Sequence, residues 1–201
     1  LHEYQAKELL RKYDLPLLKG LVFIDSLKNL KNELHSLNGP PWIVKSQIHA
    51  GGRGAGYFKN SSNKEGGVRA VYKYDEAQSI AEFMLGNTLI TKQTGPEGKK
   101  VNRIFVEEGC EIKREFYLSL LIDRSKYQLM LVISAAGGIN IEEVAQKSPD
   151  KIHITHFYDL NSITLDNKIK EVINISSLQF DELSLIVKKL VRVFRELDVS
   201  T

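Results

Sequence analysis

The spacing of hydrophobic residues changes several times along the chain and predicts a mixture of helices and strands. Apolar side chains recur at intervals of three and four residues, the spacing of a helix, over residues 2–13, 26–37, 75–84 and 183–197. Short apolar runs bounded by turn residues predict strands over residues 17–23, 42–44, 68–71, 89–93, 101–107, 115–123, 128–134 and 152–158. A single helical turn is predicted over residues 141–146.

The order of these elements changes at the polar turn 94–98. Before it, helices alternate with strands. After it, three strands follow one another, and the last two are joined by a short turn at residues 124–127, as in an antiparallel hairpin. This order predicts an α+β protein with two lobes and a boundary near residues 94–100.

The charge of the chain is distributed unevenly. Its 201 residues carry 28 basic and 25 acidic side chains, and the net charge of +3 is too balanced to indicate binding to nucleic acid or a membrane surface. Residues 1–100 hold 15 basic and 10 acidic side chains, whereas residues 101–201 hold 13 and 15, so the positive charge lies in the first half. A polyphosphate ligand fits this distribution, and so does a solvated lysine-rich surface.

Cysteine content and hydropathy indicate the compartment. The single cysteine, Cys110, excludes an internal disulfide and fits a reducing compartment. No apolar run approaches the roughly 20 residues that cross a bilayer, and the first residues lack the basic-then-apolar order of a signal peptide. We therefore expect a soluble intracellular protein.

The segment Trp42–Val71 contains six of the fourteen glycines and predicts a loop that binds an anion. Lys45 ends its apolar run, and Arg53 stands between Gly52 and Gly54. Glycines leave backbone N–H groups uncovered and allow positive φ, so such a loop can wrap closely around a phosphate. The pattern is neither a P-loop nor a dinucleotide fingerprint, because no Gly-Lys-Ser/Thr closes it and no helix opens directly after the glycines. The alternative for Lys45 is a strand-end lysine that only reaches solvent.

Other candidate residues each have an ordinary structural alternative. Glu107 ends an apolar strand and Glu115 begins the next, so both are either solvated strand-end carboxylates or acceptors for a nucleotide hydroxyl. His153 and His156 are three residues apart in a predicted strand and point to opposite faces, which argues against a shared metal ion. Residues 57–65, the tip of the glycine loop, are predicted to form either a mobile flap or a surface insertion.

Taken together, these motifs resemble the amino-terminal part of succinyl-CoA synthetase (succinate–CoA ligase) β subunits, which are ATP-grasp proteins. The resemblance starts at the opening peptide Leu1–Lys7 and continues through Trp42–Lys45 and Gln47–Gly54. It goes on through residues 105–108, 115–118, 123–125 and 137–145, and thus covers essentially the whole chain in collinear order.

This resemblance implies an ATP-grasp fold with nucleotide between two lobes, one spanning residues 21–100 and the other combining residues 1–20 with 101–201. The nucleotide-binding residues that it implies are Lys45, Gly52, Arg53 and Gly54 at the phosphates, Glu107 and the Cys110 backbone beside adenine, and Glu115 as a further carboxylate. Family members transfer the γ-phosphoryl group of ATP or GTP, with Mg²⁺, to a histidine of a separate α subunit. The phosphohistidine then drives the formation of succinyl-CoA from succinate and CoA in the tricarboxylic acid cycle, in the cytoplasm or the mitochondrial matrix.

The family pattern continues past the last residue of this chain. Family members follow the segment that resembles residues 198–201 with Glu-Ile-Asn-Pro and a later aspartate, which bind magnesium. We therefore expect the Mg²⁺ ligands beyond Thr201, and none of the metal ligands or catalytic residues within residues 1–201. We also expect the chain to be a fragment that lacks the domain meeting CoA and the α subunit, and to be inactive alone.

Two alternatives to a succinate–CoA ligase β subunit stay open. A malate–CoA ligase β subunit is one, because the residues that recognise the acid would lie outside this chain. A non-catalytic nucleotide-binding module with the same fold is the other. ATP is favoured only weakly over GTP, by Leu18 near the expected base pocket, since leucine offers no hydrogen bond to guanine.

Overall fold

The computed structural model describes residues 1–59, 61, 65–138, 141–161 and 163–199. Part of the predicted loop tip 57–65, and Ile139 and Asn140 of the segment 137–145 that carries part of the family resemblance, therefore lie outside the described residues. The described chain forms two compact units. The first contains Leu1–Lys12 and Pro16–Glu111, and the second contains Tyr13–Leu15 and Ile112–Thr201. The family resemblance implies a different division, into nucleotide-binding lobes of residues 21–100 and of residues 1–20 with 101–201. This division remains a prediction.

The first unit is built from three helices and seven strands among the described residues. The helices are α1 (Glu3–Arg11), α2 (Leu30–Glu33) and α3 (Tyr74–Met84). The strands are β1 (Gly20–Ile24), β2 (Trp42–Ser46), β3 (Tyr57–Phe58), β4 (Val68–Val71), β5 (Thr88–Ile90), β6 (Lys99–Lys100) and β7 (Arg103–Glu108). Two of them, β3 and β6, are only two residues long and were not predicted, because such short pairs leave no hydrophobic period to detect.

The main sheet of the first unit has the strand order β1-β7-β2-β4, and all its pairs are antiparallel. Along β2, Trp42, Val44 and Ser46 are buried, whereas Ile43 and Lys45 alternate with them and point to the opposite face. The buried face packs against α2 and α3 around a core that includes Leu30, Leu34, Ala77, Ala81 and Met84. A second, small sheet of order β3-β5-β6 adds Phe58 and Leu89 to the same core.

The helix predicted over residues 26–37 was too long, although its four leucines are all buried. The chain instead forms α2 followed by a 3-10 turn at Leu34–Ser36, and the residue before α2 is Asn29, not Ser26. Its backbone bonds run from Leu30 N to Leu27 O and from Leu37 N to Leu34 O, each over three residues. The leucine spacing of three, four and three therefore reflects a helix tightened at both ends rather than a continuous α-helix.

The second unit packs a three-stranded sheet against helices. Its strands are β8 (Tyr117–Asp123), β9 (Gln128–Ser134) and β10 (Ile152–Phe157), in the antiparallel order β10-β9-β8. Its helices are α4 (Ile141–Lys147), α5 (Lys168–Ile173) and α6 (Ser177–Glu196). One face of the sheet, with Leu131 and Ile133 fully buried, packs with α5 and α6. The predicted hairpin β8–β9 and the terminal helix are confirmed.

Local signals account for the start of α6, and a tertiary contact stabilises α5. Ser176 precedes α6 and accepts a hydrogen bond from the Gln179 backbone N–H, while the Gln179 side chain returns a bond to Ser176, a capping box. Helix α5 was not predicted because its six residues span less than two turns. Its carbonyl end, at Ile173 and Asn174, accepts hydrogen bonds from Arg114, which places a cation at the negative end of the helix. No helix within the described ranges is long and apolar enough to cross a membrane.

The two histidines of β10 point to opposite faces, as predicted. His153 Nε2 lies 3.0 Å from Thr155 Oγ1, on the face that also carries Phe157. His156 Nε2 lies 2.9 Å from Asp123 Oδ2, across the sheet on the other face. The structure thus separates the two imidazoles, and neither shares a partner with the other.

Acid is expected to weaken the second unit through Asp123. Hydrogen bonds from Ser125, then from His156 and the Lys126 backbone, lower the pKa of Asp123 from 3.8 to about 2. A carboxyl whose pKa is lower in the folded than in the unfolded state stabilises above the unfolded value, and that stabilisation is lost as the pH falls through the folded value. We expect Asp123→Asn to reduce stability at pH 6 and to flatten the loss of stability between about pH 4 and pH 2.

Urea denaturation followed by circular dichroism at pH 6, 4 and 3 measures this effect. Asp150→Asn is the matched control, since Asp150 is exposed on the same unit and its neutralisation should leave the pH profile as in the wild type. Parallel profiles for the wild type and Asp123→Asn would show that the bonds to Asp123 do not contribute.

Candidate functional site

Lys45 lies on the face of the main sheet that α1 covers. It belongs to β2 and pairs with Phe105 of β7, and its ammonium nitrogen lies 6.0 Å from the centroid of the Phe105 ring. Lys7 of α1 lies over the same ring at 5.7 Å. Gly20 of β1 provides room for this ring, because a Cβ at position 20 would overlap its edge. The Phe105 ring therefore makes cation–π contacts with both Lys7 and Lys45.

The glycine-rich residues 51–56 and 66–67, which we call the glycine segment, follow β2 and lie against the end of that strand. Gly52 has a φ of +72°, which favours glycine, and the Gly51 N–H donates to Gln93 Oε1 at 2.6 Å. The carbonyl of Arg53 accepts from the Gly67 N–H at 2.8 Å. The Arg53 side chain then returns to the strand and donates from Nη1 to the carbonyl of Ser46, also at 2.8 Å. The loop thereby places the Arg53 guanidinium next to the end of β2.

Lys45 and Arg53 meet at one carboxylate, that of Glu3 in α1. Glu3 Oε1 lies 2.9 Å from Lys45 Nζ, and Glu3 Oε2 lies 2.6 Å from Arg53 Nη2. Burial acts to raise the pKa of Glu3, but the hydrogen bonds and charges of Arg53 and Lys45 outweigh it and lower the pKa to about 2. Burial acts to lower the pKa of Lys45, and the hydrogen bonds and charges of Glu107 and Glu3 outweigh it and raise the value. Both groups are therefore charged at neutral pH.

Glu107 completes this cluster from the neighbouring strand. It is 3% exposed, and its two carboxylate oxygens contact different lysines: Oε2 lies 2.6 Å from Lys45 Nζ, and Oε1 accepts from Lys7. Lys7 is also 3.7 Å from Glu3, one helical turn away. The five residues Glu3, Lys7, Lys45, Arg53 and Glu107, which we call the charge cluster, hold three cations and two carboxylates. The cluster keeps one positive charge in excess.

The chain after β7 is held to the segment before β2. Glu108 points away from the charge cluster and accepts hydrogen bonds from the Asn38 backbone and side chain, both at 2.9 Å. The Gly109 N–H donates to the carbonyl of Pro41 at 2.8 Å, and a Cβ at position 109 would lie 2.7 Å from that oxygen. Cys110, the next residue, has an exposed free thiol. The backbone that leads into Cys110 is therefore fixed by the contacts of Glu108 and Gly109.

Glu115 lies in the second unit, apart in the chain from the residues of the charge cluster. It precedes β8 and is exposed. Gly137 and Gly138 approach it so closely that a Cβ on Gly138 would lie 2.8 Å from Glu115 Oε2. Both glycines thus allow a close approach of the chain to Glu115.

The structure brings together three of the predicted site residues and adds two that were not predicted. Lys45, Arg53 and Glu107 share the charge cluster, with Gly52 and Gly54 on either side of Arg53. Glu3 and Lys7 were missed, although their spacing of four places both on one face of α1. Such a pair is common on solvated helices, so the sequence alone does not indicate that this face lies on β2 and β7.

The described residues contain no group of three or more histidine, cysteine, aspartate or glutamate side chains arranged to hold a metal ion. The carboxylates of Glu3 and Glu107 are already paired with cations. We assign no metal-dependent step to these residues.

Comparison with known proteins identifies the family. The model of the ATP-grasp domain matches residues 1–201. The chain is 53% identical over 152 residues to a succinate–CoA ligase [ADP-forming] subunit β of Acidiphilium cryptum, which covers 76% of this chain and 38% of the relative. It is 44% identical over 203 residues to the subunit of the same name from Cereibacter sphaeroides, which covers 99% of this chain and 51% of the relative. The chain thus spans about half the length of the Cereibacter sphaeroides relative, and its match to the Acidiphilium cryptum relative covers a smaller share of that protein.

A solved structure supports the fold. ATP citrate lyase from Methanothrix soehngenii, in complex with citrate and coenzyme A, superposes with a TM-score of 0.65 at 17% identity, over 97% of this chain and 43% of that chain. The predicted mixed helix-and-sheet fold and the resemblance to succinate–CoA ligase β subunits are confirmed. The chain belongs to the ATP-grasp family.

Proposed function

We propose that this chain is the nucleotide-binding part of an ADP-forming succinate–CoA ligase β subunit. Lys45 and the Gly52-Arg53-Gly54 segment hold the phosphates of ATP or ADP. Glu107 and the backbone at Cys110 line the base side, and Glu115 is a further nucleotide-binding carboxylate. The names of the relatives, at up to 53% identity, favour succinate over malate as the acid and an active ligase over a non-catalytic module.

One observation carries the proposal: a strand-end lysine and a glycine-loop arginine converge on a single anionic group. Lys45 and Arg53 arrive from separate parts of the chain, yet their donor nitrogens lie within 2.9 Å of the two oxygens of the same carboxylate. Cations held in place beside an anion position suit phosphate, because charge-assisted hydrogen bonds to phosphate oxygens are short and strong. The excess positive charge of the cluster favours a ligand with more than one negative charge.

These residues act by positioning the phosphates of the nucleotide and by neutralising their negative charge. Phosphoryl transfer requires little covalent participation by the protein, and its rate depends on donors that are already aimed at the charge of the phosphates. In this proposal Lys45 and Arg53 neutralise phosphate oxygens, and exposed backbone N–H groups of the glycine segment donate to them. When bound, Mg²⁺ supplies further charge neutralisation, and we place its ligands outside residues 1–201.

The remaining parts of the reaction belong to the complete enzyme. We propose that it couples ATP, succinate and CoA to ADP, phosphate and succinyl-CoA through a phosphohistidine on an α subunit, in the cytoplasm or the mitochondrial matrix. The printed subunit name of the relatives supports a second, different subunit. In this proposal CoA is bound by a carboxy-terminal domain outside residues 1–201, and that domain also helps to bind the α subunit.

Lys45→Ala is expected to weaken the binding of ATP to the chain at least about tenfold. The substitution removes a charge-assisted hydrogen bond, which contributes about 1.5–3 kcal/mol, and tenfold in affinity corresponds to about 1.4 kcal/mol. Isothermal titration calorimetry with ATP, with and without Mg²⁺, measures the change. Lys28→Ala is the matched control, because Lys28 is an exposed lysine of the same unit.

Circular dichroism of both variants establishes that they are folded before titration. Equal affinity of Lys45→Ala and Lys28→Ala for ATP would overturn the phosphate assignment of Lys45. Rapid hydrolysis of ATP by the chain alone would overturn the assignment of the metal ligands to other segments.

A further inference from the structure

The carboxylate of Glu3 occupies the position where an anion is best stabilised in the first unit. Its two oxygens contact two different cations, Lys45 at 2.9 Å and Arg53 at 2.6 Å. Glu3 comes from α1, forty-two residues before Lys45 in the chain, whereas Lys45 precedes the glycine segment and Arg53 lies within it. The structure therefore shows an internal anion held by the two residues to which the proposed function assigns phosphate.

The remainder of the charge cluster permits Lys45 to leave Glu3. Glu107 is buried and needs a cation, because an unpaired carboxylate away from water is strongly unfavourable. It has two, and Lys7 contacts the oxygen that Lys45 does not. Lys45 can turn toward a ligand while Glu107 keeps Lys7. Glu3 has no corresponding constraint, since its side chain lies at the start of a helix and is 21% exposed.

The charges also distinguish the two occupants. Glu3 brings one negative charge to four residues, Lys7, Lys45, Arg53 and Glu107, which together carry two positive charges in excess. A nucleotide phosphate chain brings several negative charges and is attracted more strongly at the same distance. Both cannot lie between Lys45 and Arg53, because the like charges of the carboxylate and the phosphate would then be in contact.

We propose that Glu3 is an internal competitor for nucleotide phosphate, which holds Lys45 and Arg53 when the site is empty and is displaced when a phosphate binds. The inference rests on the proposed function and adds a regulator to the same site. Glu3 keeps the two cations paired and in position without ligand, and it lowers by a common factor the apparent affinity of every anion that must displace it.

Glu3→Gln is expected to bind ATP about fivefold more tightly than the wild type. The apparent dissociation constant equals the intrinsic one divided by the competent fraction, so removal of a competing state raises affinity by the inverse of that fraction. The gain should be of the same size for inorganic phosphate and for ATP, because the competent fraction is a property of the protein and not of the ligand. Calorimetry on the complete chain measures both ligands at 50 and 200 mM salt.

Glu8→Gln is the matched control for this experiment. Glu8 lies on the same helix and is exposed, so its substitution removes the same charge without touching the cluster. We expect Glu8→Gln to bind ATP as the wild type does. If Glu3→Gln binds no more tightly than Glu8→Gln, the competition is absent and the inference is wrong.

The failure of this inference and that of the proposed function give different results. Lys45→Ala tests the phosphate site itself. Weakened binding in Lys45→Ala together with unchanged binding in Glu3→Gln would retain the site and reject the competitor. Unchanged binding in Lys45→Ala would reject the site, and the inference with it.

A measurement on the wild type covers the case in which Glu3→Gln does not fold. Displacement of Glu3 removes the contacts that hold the first turn of α1, so backbone amide exchange in that turn should become faster on addition of ATP. Ligand binding ordinarily slows exchange around a site, which makes an acceleration distinctive. Exchange in the first turn of α1 that slows or stays constant when ATP saturates the chain would overturn the inference.

Discussion

Replacing Lys7 and Lys45 together by methionine is expected to destabilise the first unit by about 3–5 kcal/mol, more than the sum of the two single substitutions. Glu107 is 3% exposed, and each of its oxygens contacts one of these lysines. Either lysine alone still provides a counterion. Loss of both leaves a buried carboxylate without a positive partner, which costs far more than the loss of an exposed ion pair.

Chemical denaturation of the wild type, both single variants and the double variant measures this coupling. A third substitution, Glu107→Leu, should restore most of the lost stability, because it removes the unpaired charge and keeps a side chain of similar volume. Lys31→Met is the control at the surface, since the Lys31–Asp75 pair at 2.8 Å is exposed and screened by solvent, and its loss should change stability little. Strict additivity of the two lysine substitutions would contradict the proposed sharing of Glu107.

Gly66→Ala is expected to destabilise the glycine segment by about 1–3 kcal/mol and to weaken ATP binding about tenfold. The chain passes so close to itself here that a Cβ at position 66 would overlap the carbonyl oxygen of Gly54. The obstructing atom is backbone, so relief requires the whole loop to shift. A shift of Gly54 displaces Arg53, and with it one of the two proposed phosphate contacts.

Gly54→Ala separates this steric effect from a general effect of alanine in the loop. A Cβ at position 54 would lie 3.9 Å from Val68 Cβ, an ordinary contact, so the stability of this variant should stay within about 0.5 kcal/mol of the wild type. Thermal denaturation and calorimetry with ATP on both variants provide the comparison. If Gly66→Ala were as stable as Gly54→Ala, the close passage of the two loop arms would not be a constraint on the fold.

The sequence alone was sufficient to predict those site residues that a local sequence pattern marks. Lys45 and Arg53 stood out because one ended an apolar run and the other lay between glycines, and the structure brings them to a common partner. Periodicity predicted β8, β9 and α6, because each has a hydrophobic face long enough to show its period. It failed for residues 26–37, where the burial of the leucines was right but the continuous helix was wrong.

The partners of the site residues were beyond prediction from sequence. Glu3 and Lys7 lie about forty and one hundred residues from Lys45 and Glu107, respectively. Nothing in a helical Glu-x-x-x-Lys pair distinguishes a solvated face from one that lies on a sheet. Charge pairing of this kind depends on which face of α1 packs against β2 and β7, and that is decided by the tertiary fold.

The position of β2 within its sheet determines which part of the site can change conformation when an anion binds. Strand β2 is bonded along its length to β4 on one side and to β7 on the other, so the backbone under Lys45 is rigid before any ligand arrives. Arg53 is carried by a glycine-rich loop that is held by single hydrogen bonds and not by strand pairing on both sides, so its backbone is less constrained than that of β2. Most of the conformational entropy lost when an anion binds here therefore comes from the glycine segment, and the strand acts as a preorganised half of the site.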